Sequence, residues 1–304
     1  MTSSLRDTIR DLTRKHLDSG FMVTGQCLSA VGFVANTVPD HPGLTELPMS
    51  DVAGAYFAVG AALANRRPIL ILRYQGFSWL AANAIVNYAA KSKALWNRPC
   101  PLLIRSIAME GNIGPTSGSS HHSLFTRMPG MRVIAPMTPG EWKTAYDEWM
   151  SSDEVVYLSE HRGSYDTDGE LHSTSDEFWR HGQYPQIVLF PISITRFAAI
   201  NVAEDFLSNE ARPIAVHHVS TLTPFNASQE SLIDLKHSRF GGIVLDDDYV
   251  GGVASDIAMQ LHALTGARMR VLGLEDRTAG FGPGMDNLPP NVERIKAFVK
   301  ERLR

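Results

Sequence analysis

Cysteine is scarce in this chain of 304 residues, which contains only Cys27 and Cys100. Two cysteines cannot build a disulfide framework or a paired-cysteine zinc site, so neither class of fold is expected. Long apolar runs are missing too, since no stretch approaches the roughly 18 residues that a membrane-spanning helix requires. The sequence therefore gives no indication of an oxidising compartment or of a membrane, and the default expectation is a cytoplasmic protein.

A marked excess of charge of one sign is also absent. The net charge is -4, and the longest acidic run is Asp246-Asp247-Asp248. Proteins that bind nucleic acid or a membrane surface usually carry basic blocks, and this sequence has none. We therefore expect neither nucleic acid nor a membrane among its partners.

What the chain does contain is enough apolar material for a large core. Hydrophobic residues make up 44% of the sequence, and 304 residues suit two domains better than one. Near the N-terminus, Leu5, Ile9 and Leu12 recur at helical spacing among charged residues. This spacing predicts an amphipathic helix and not a signal peptide.

Strand and helix patterns alternate along the first part of the chain. The short apolar runs that predict strands cover residues 66–75, 100–108, 131–136 and 154–159. The helical patterns between them cover residues 50–65, 79–95 and 138–150. Strands separated by helices of this length predict a parallel sheet that is covered on both faces.

A second set of strands and helices follows a polar stretch at residues 164–185, which is the best candidate for a linker. The predicted strands of this set cover residues 186–191, 212–219, 241–247 and 267–274. The predicted helices lie near residues 195–208, 228–237, 251–264 and 291–303. We expect a first domain at residues 1–180 and a smaller α/β domain at residues 181–304.

Two places in the first domain carry side chains suited to a site. Ser50 and Asp51 stand at a predicted helix start, where an oxygen can cap free backbone N–H groups and where a partly desolvated carboxylate could instead bind a ring nitrogen. Tyr74, Phe77 and Trp79 follow the predicted strand at its carboxyl end, where open parallel sheets place ligands. These aromatic rings suit either the core or stacking on a ligand.

The loop at residues 111–120 is rich in glycine and hydroxyl side chains, which allows a close approach to a ligand. His121 and His122 follow it. Neighbouring residues in a helix point about 100° apart, so at most one of the two imidazoles can face a given site. Each histidine is therefore either a site residue or a polar residue at a helix start. The pair lacks the spacing of metal ligands and so is weak evidence for a metal site.

Taken in order, several segments resemble the β subunits of the thiamine-diphosphate-dependent 2-oxo acid dehydrogenases and the C-terminal half of transketolase. The segments are "ELPMSDVAGAYFAVGAALANRRPIL", "YQGFSWLAANAIVNYAAKSKAL", "GPTSGSSHHSLFTRMPGMRVIAPMTPGEWKTAYDEWM", "VVYLSEHR", "STLTPFNASQESL" and "VGGVASDIA". The "NAIVNYAAK" and "MPGMRVIAPMTP" portions favour the dehydrogenase β subunits. The resemblance spans nearly the whole chain. It implies a parallel-sheet pyrimidine-binding domain of transketolase type, followed by a smaller α/β transketolase C-terminal domain.

The resemblance also implies roles for individual residues. In that family a Glu at the helix start hydrogen-bonds the aminopyrimidine of the cofactor, and the matching position here is Asp51. Aspartate keeps the carboxylate but is one methylene shorter, about 1.5 Å. The aromatic that packs on the pyrimidine corresponds to Tyr74 or Phe77, with Phe77 preferred.

Family members usually carry a substrate-facing His directly after the Gly-Pro-Thr turn, where this chain has Ser117. In an ungapped alignment His121 and His122 fall one helical turn later, and a shifted alignment matches "HHSLF" to the paired histidines of deoxyxylulose-phosphate synthases. In either alignment His121 or His122 is the candidate replacement for the missing imidazole. The predicted catalytic set is therefore Asp51, Ser117, His121 and His122.

In this superfamily a Gly-Asp-Gly segment in a separate domain holds the diphosphate and its Mg²⁺, and this chain contains no such segment. The resemblance therefore implies half an enzyme. Its partner would be an α-type subunit that supplies the magnesium ligands, in a complex of two α and two β chains. The implied activity cleaves a small-molecule 2-oxo acid or ketose and transfers the acyl or ketol fragment to an acceptor.

Two alternatives stay open at this stage. A split transketolase would move a two-carbon ketol unit between sugar phosphates, with Arg127 and Arg162 as the candidates to bind phosphate. A catalytically silent structural or regulatory subunit is compatible with the changes at positions 51 and 117.

Overall fold

The computed structural model describes residues 3–29, 34–110, 114, 116, 118–172, 184–210 and 212–303. The chain divides into two compact units. Unit 1 comprises Met1–Glu170, Thr221–Pro224 and Gly280–Asp286, and unit 2 comprises Leu171–Ser220, Phe225–Ala279 and Asn287–Arg304. The predicted boundary between residues 180 and 181 lies outside the described residues.

Unit 1 is built on a seven-stranded sheet. Its strands are β1 (Val23–Gly25), β2 (Leu44–Glu46), β3 (Ile69–Leu72), β4 (Leu103–Ala108), β5 (Met131–Ile134), β6 (Val155–His161) and β9 (Thr221–Thr223), in the order β2-β1-β3-β4-β6-β5-β9. All neighbours pair in parallel except β5 and β9, which pair antiparallel. The predicted parallel sheet is confirmed. Every residue of β3, β4 and β6 is buried, as expected for strands with both faces covered.

Strands β1, β2 and β9 were not predicted from the sequence. Each is only three residues long. A run of three residues is too short to show a periodicity of two, so only the tertiary pairing reveals these strands.

The helices of unit 1 are α1 (Leu5–Asp18), α2 (Asp51–Leu63), α3 (Ser78–Ala84), α4 (Ser92–Trp96), α5 (Ser123–Thr126) and α6 (Pro139–Met150). Helix α1 buries Leu5 and Ile9 against the core, as its spacing predicts, and the Ser4 hydroxyl caps its start. Short 3₁₀ turns cover Gln75–Phe77 and Arg162–Ser164.

The segment predicted as helical at residues 79–95 is helical, but it is not one continuous α-helix. The segment comprises α3, a wider π-helical turn at Ile85–Ala89, and the separate helix α4. A π-helical turn bonds each N–H one residue further back than an α-helix does, and this shift is invisible in an apolar pattern.

Unit 2 holds a four-stranded parallel sheet in the order β11-β10-β7-β8. Its strands are β7 (Ile187–Pro191), β8 (Ile214–Val216), β10 (Gly242–Tyr249) and β11 (Met269–Leu274), and its helices are α7 (Thr195–Glu210), α8 (Gln229–His237), α9 (Val253–Thr265) and α10 (Val292–Arg302). The second predicted α/β set is thus confirmed. Of the described helices in either unit, none is both long and apolar enough to span a membrane.

Candidate functional site

The Asp51 carboxylate stands at the first residue of helix α2. The Ser50 hydroxyl accepts a hydrogen bond from the Ala53 N–H at 3.4 Å and so takes the capping position. Asp51 is half-buried, and its Oδ1 accepts a hydrogen bond from Gln26 Nε2 at 3.2 Å. Since Ser50 supplies the cap, the Asp51 side chain is not required for it.

Burial raises the pKa of the Asp51 carboxyl above its ordinary value. The hydrogen bonds from its own backbone N–H and from Gln26, and the charge of Arg73, lower this pKa but do not outweigh burial. A carboxyl group in this state holds or shares a proton more readily than an exposed one. It is suited to a strong hydrogen bond with a ring nitrogen.

Asp51 borders a narrow cleft between the start of α2 and the carboxyl end of β3. The lining residues include Gly25, Gln26, Asp51, Gly54, Ala55 and Phe77. Glycine is required at position 25, because a Cβ there would lie 2.7 Å from the Ile71 carbonyl oxygen. Glycine at this position therefore lets β1 pack closely against β3 at the edge of the cleft.

Of the two aromatic candidates for stacking, Phe77 lines this cleft. The Tyr74 ring lies edge-to-face against Phe77, with centroids 5.4 Å apart, and the Arg73 guanidinium lies over Tyr74 at 5.3 Å. Tyr74 thus supports the ring that lines the cleft.

The buried Gln75 carboxamide links three strand ends at the carboxyl edge of the sheet. Its Nε2 donates to Ser159 Oγ at 2.7 Å and to the Ser106 carbonyl at 3.2 Å, and its Oε1 accepts from the His121 N–H at 2.7 Å. Each bond satisfies a polar group that would be costly to bury alone. Gln75 therefore fixes the position of the His121 backbone at this edge of the sheet.

The two imidazoles of the His pair have different surroundings. His122 is fully buried, directly before α5, and its Nδ1 lies 3.0 Å from Ser159 Oγ. His121 is half-buried, and its ring meets the exposed Trp79 edge-on at 6.1 Å. Ser117, the other predicted site residue, lies outside the described residues.

Comparison with known proteins identifies the domain around these residues. Residues 38–167 match the family model "Transketolase, pyrimidine binding domain", a range that contains Asp51, Gln75, His122 and Ser159. Over these residues the chain is similar to the pyrimidine-binding domain of transketolase. The matched range covers most of unit 1.

Curated relatives match over more of the chain than this domain does. The acetoin:2,6-dichlorophenolindophenol oxidoreductase subunit beta of Cupriavidus necator is 22% identical, over 86% of this chain and 80% of the relative. The 2-oxoisovalerate dehydrogenase subunit beta of Bacillus subtilis is 24% identical, over 84% and 82%. The predicted resemblance to the dehydrogenase β subunits is confirmed.

Solved structures show that the fold extends over the whole chain. A split gene transketolase, described as an inactive beta4 tetramer, superposes with a TM-score of 0.72 at 14% identity, covering 100% of this chain and 99% of that one. The transketolase from Campylobacter jejuni gives a TM-score of 0.73 at 13% identity, covering 99% of this chain and 47% of that one. The predicted transketolase-type fold is confirmed.

In residues 38–167, some buried charged groups pair with each other and are therefore not available to a ligand. Buried Arg105 binds both oxygens of Glu160, at 2.7 and 3.0 Å, and the Tyr165 hydroxyl donates to the same carboxylate at 2.8 Å. Glu160 directly follows Ser159 in the chain, but these contacts give its carboxylate a structural role.

Of the two phosphate candidates, Arg127 is exposed at the end of α5, and Arg162 begins the 3₁₀ turn after β6.

Sequence reasoning missed Gln26, Gln75 and Ser159. Ser159 does carry a signal, because it interrupts the apolar run of β6, and a polar side chain in a fully buried strand needs a partner. Gln75 and Gln26 each follow a strand at its carboxyl end, where parallel sheets place ligands. Their partners, Ser159 and Asp51, are distant in sequence and become evident only in the folded chain.

Proposed function

We propose that this chain is the β-type subunit of a two-component thiamine-diphosphate-dependent enzyme, active only with a partner subunit. The reaction class is cleavage of a small-molecule 2-oxo acid or ketose, followed by transfer of the acyl or ketol fragment to an acceptor. The observation that carries the proposal is Asp51: a half-buried carboxyl group with a raised pKa, at a narrow cleft that Phe77 also lines, within the range that matches the transketolase pyrimidine-binding domain.

The residues at the cleft suit the aminopyrimidine ring of thiamine diphosphate. When bound, this cofactor supplies a carbon acid that, once deprotonated, attacks the carbonyl carbon of the substrate. Asp51 would accept a hydrogen bond from the ring, Gln26 would hold the carboxylate in place, and Phe77 would pack on the ring face. These contacts combine a proton acceptor, an orienting donor and an aromatic surface in one cleft.

We assign the substrate-facing role of the His pair to His121. Its imidazole is half-buried, whereas His122 is fully buried against Ser159. An imidazole that exchanges protons with substrate must be accessible to it. Gln75 fixes the backbone of His121 and so acts as its positioning residue. Ser117 stays a predicted contact to substrate on the preceding loop.

A group of exposed apolar side chains in unit 1 supports the need for a partner. We call it the aromatic face; it consists of Val52, Tyr56, Phe57, Trp79, Leu80, Tyr88, Leu95 and Trp96. Three of the rings lie in series, with centroids 5.5 Å apart for Tyr56–Tyr88 and 6.5 Å for Tyr88–Trp96. Exposed apolar patches with clustered aromatics mark protein interfaces.

The relatives support the same arrangement. Those from Cupriavidus necator and Bacillus subtilis are each named as a subunit beta, and the split transketolase structure is named as an inactive tetramer of beta chains. We propose an α-type partner that holds the diphosphate and supplies the ligands for Mg²⁺, in a complex of two α and two β chains. Such a partner would cover the aromatic face.

Native mass spectrometry of the untagged chain purified from its source cells tests the proposal. We expect a complex that contains a second chain with a Gly-Asp-Gly segment, together with thiamine diphosphate. Recovery of a complex lacking both would contradict the proposal. Screening the intact complex against 2-oxo acids and sugar phosphates then separates dehydrogenase-type from transketolase-type activity.

Substitution of Asp51 in the assembled complex tests the site itself. Loss of a group that takes part in proton transfer typically costs 10²–10⁴-fold, so we expect Asp51→Ala to lower turnover by at least about 100-fold. Asp51→Glu should keep most of the activity, and Asp11→Ala, at an exposed position of α1, should leave it unchanged. Full turnover by Asp51→Ala would indicate a catalytically silent subunit.

A further inference from the structure

A cavity of about 620 Å³ lies in unit 2, at the amino ends of strands β10 and β11. We call it the basic cavity, because its lining includes five cationic side chains and one carboxylate, Glu301. The cations are Lys236, Arg239, Arg268, Arg270 and Arg302. The chain as a whole carries a net charge of -4, so this local excess of positive charge is not a property of the surface in general.

A close backbone contact holds the two loops that carry Arg239 and Arg268 together. Gly241 has a φ of +81°, and a Cβ there would lie 2.0 Å from the Arg268 carbonyl oxygen. The Gly242 N–H donates to that same oxygen at 2.9 Å. Because only glycine allows this approach, the starts of β10 and β11 are pressed together where the cations are placed.

Ordinary structural reasons explain part of this cluster. Lys236 and Arg302 lie in the last turns of α8 and α10, where cations interact favourably with the helix dipole. Arg270 lies on β11, an edge strand, and charged side chains on an edge strand discourage pairing with other chains. Neither reason applies to Arg239 and Arg268, which stand in loops.

The cationic groups are largely available to a ligand. Over the described parts of the chain, Lys236, Arg239, Arg268 and Arg270 make no ion pair, and the Arg239 guanidinium lies over the Phe240 ring at 5.1 Å. Arg302 contacts Glu301 at 3.2 Å through Nη2, but its Nε is buried without a hydrogen-bond partner among the described residues. Lys236, Arg239, Arg268 and Arg270 are therefore the cations of the cavity that a ligand can pair with.

We propose that the basic cavity binds a small molecule that bears two or more phosphate groups. Its volume falls in the range of about 300–1,000 Å³ that is typical of small-molecule sites. Guanidinium groups bind phosphate through paired hydrogen bonds, and several phosphates are needed to neutralise five cations against one carboxylate. The inference does not depend on the proposed function, since it uses residues of unit 2 alone.

Isothermal titration of the full chain with tripolyphosphate, and separately with inorganic phosphate, tests this site. We expect tripolyphosphate to bind more tightly than inorganic phosphate, with an affinity that falls as salt is raised. The double variant Arg239→Gln/Arg268→Gln should lose at least about tenfold in affinity, a modest loss for two charge-assisted contacts. Arg212→Gln, an exposed cation of unit 2 outside the cavity, should bind like the unchanged chain.

Three results would overturn the proposal. The first is no binding of tripolyphosphate at low salt, and the second is equal binding by the double variant. The third is displacement of tripolyphosphate by a lower concentration of poly-glutamate, which would assign the cavity to an acidic protein segment. Asp51→Ala separates this test from the proposed function, because the variant should bind tripolyphosphate with unchanged affinity even if the cofactor assignment is wrong.

Discussion

The two units place different chemistry on their surfaces. Among the described residues, the exposed large hydrophobic side chains of unit 1 include six aromatics, namely Tyr56, Phe57, Trp79, Tyr88, Trp96 and Phe281, whereas those of unit 2 include only Tyr184. Unit 2 instead concentrates five cations around a cavity, and four of them make no ion pair among the described residues. Both units are α/β folds with mainly parallel sheets, so the fold does not dictate this difference. The contrast is the basis for our proposals that a partner protein covers unit 1 and that unit 2 binds a phosphate-bearing molecule.

Placing a charge on the aromatic face should have the largest effect. Tyr88 is exposed and contacts both Tyr56 and Trp96. A carboxylate buried there against a partner costs several kcal/mol, so we expect Tyr88→Asp to weaken subunit association by at least about 1,000-fold. Analytical ultracentrifugation of the complex measures this.

The matched control for that substitution is Met259→Asp, at an exposed apolar position of unit 2. It should leave association within about twofold, because scattered exposed apolar side chains are normal on protein surfaces. If both variants weaken association equally, the aromatic face is not the surface that binds the partner.

Acid should destabilise both units through buried neutral imidazoles. Burial lowers the pKa of His16 in unit 1 to about 4 and that of His218 in unit 2 to about 3. Because an unfolded histidine has a pKa near 6.5, each contributes stability above that pH and loses it as the pH falls toward its folded value. For His16 the loss between pH 6.5 and 4 should reach about 2–3 kcal/mol.

Urea denaturation followed by tryptophan fluorescence, as a function of pH, checks the contribution of His16. Trp142 and Trp149 are buried in unit 1, and the His16 ring packs against Trp149, so the signal reports on this region. His16→Gln should flatten the pH dependence between 6.5 and 4. Parallel pH profiles for the two proteins would contradict the assignment.

The buried amide network at the sheet edge of unit 1 should have a somewhat smaller effect. Gln75→Leu leaves the His121 N–H and the Ser159 hydroxyl without this partner, and we expect a loss of about 2 kcal/mol in the free energy of unfolding. Ser151→Ala removes only an exposed hydrogen bond to the Glu148 carbonyl and should change stability by less than about 0.5 kcal/mol. Equal stabilities for both variants would mean that the network is dispensable.

Removing the charge of Asp51 should have the smallest effect, and one of opposite sign. Because burial raises the pKa of this carboxyl in the folded chain, its ionisation weakens folding as the pH rises through the folded pKa. Asp51→Asn should therefore melt slightly higher than the unchanged chain at pH 7, and the gap should close in acid. Asp11→Asn on α1 is the exposed control, and thermal melts across pH measure both; a lower melting temperature for Asp51→Asn at pH 7 would refute the prediction.

The sequence was sufficient to predict the parts of the fold that have long apolar runs. The runs around β3, β4 and β6 are four to seven buried residues long, and their alternation with helices predicts a parallel sheet. The three-residue strands β1, β2 and β9 offer no such pattern. The π-helical turn at Ile85–Ala89 changes the backbone without changing the apolar spacing.

The candidate site was predictable only at Asp51, the residue proposed to carry the chemistry. Asp51 could be singled out because it stands at a helix start, and its resemblance to a family position gave it a role. The partners that orient it and the His pair could not be predicted, since Gln26 lies 25 residues from Asp51 and Gln75 lies 84 residues from Ser159. Such pairs depend on which strands become neighbours in the sheet.

The hydrogen bond from the His121 amide to the Gln75 carboxamide makes that amide proton a reporter of local opening. Gln75 is fully buried, so the hydrogen bond that protects the His121 N–H breaks only when this edge of the sheet opens. Hydrogen exchange at this one position should be slow in the resting chain. A slower exchange rate in the presence of the partner would mean that assembly stabilises the segment around His121. An unchanged rate would mean that this segment is already ordered in the free chain.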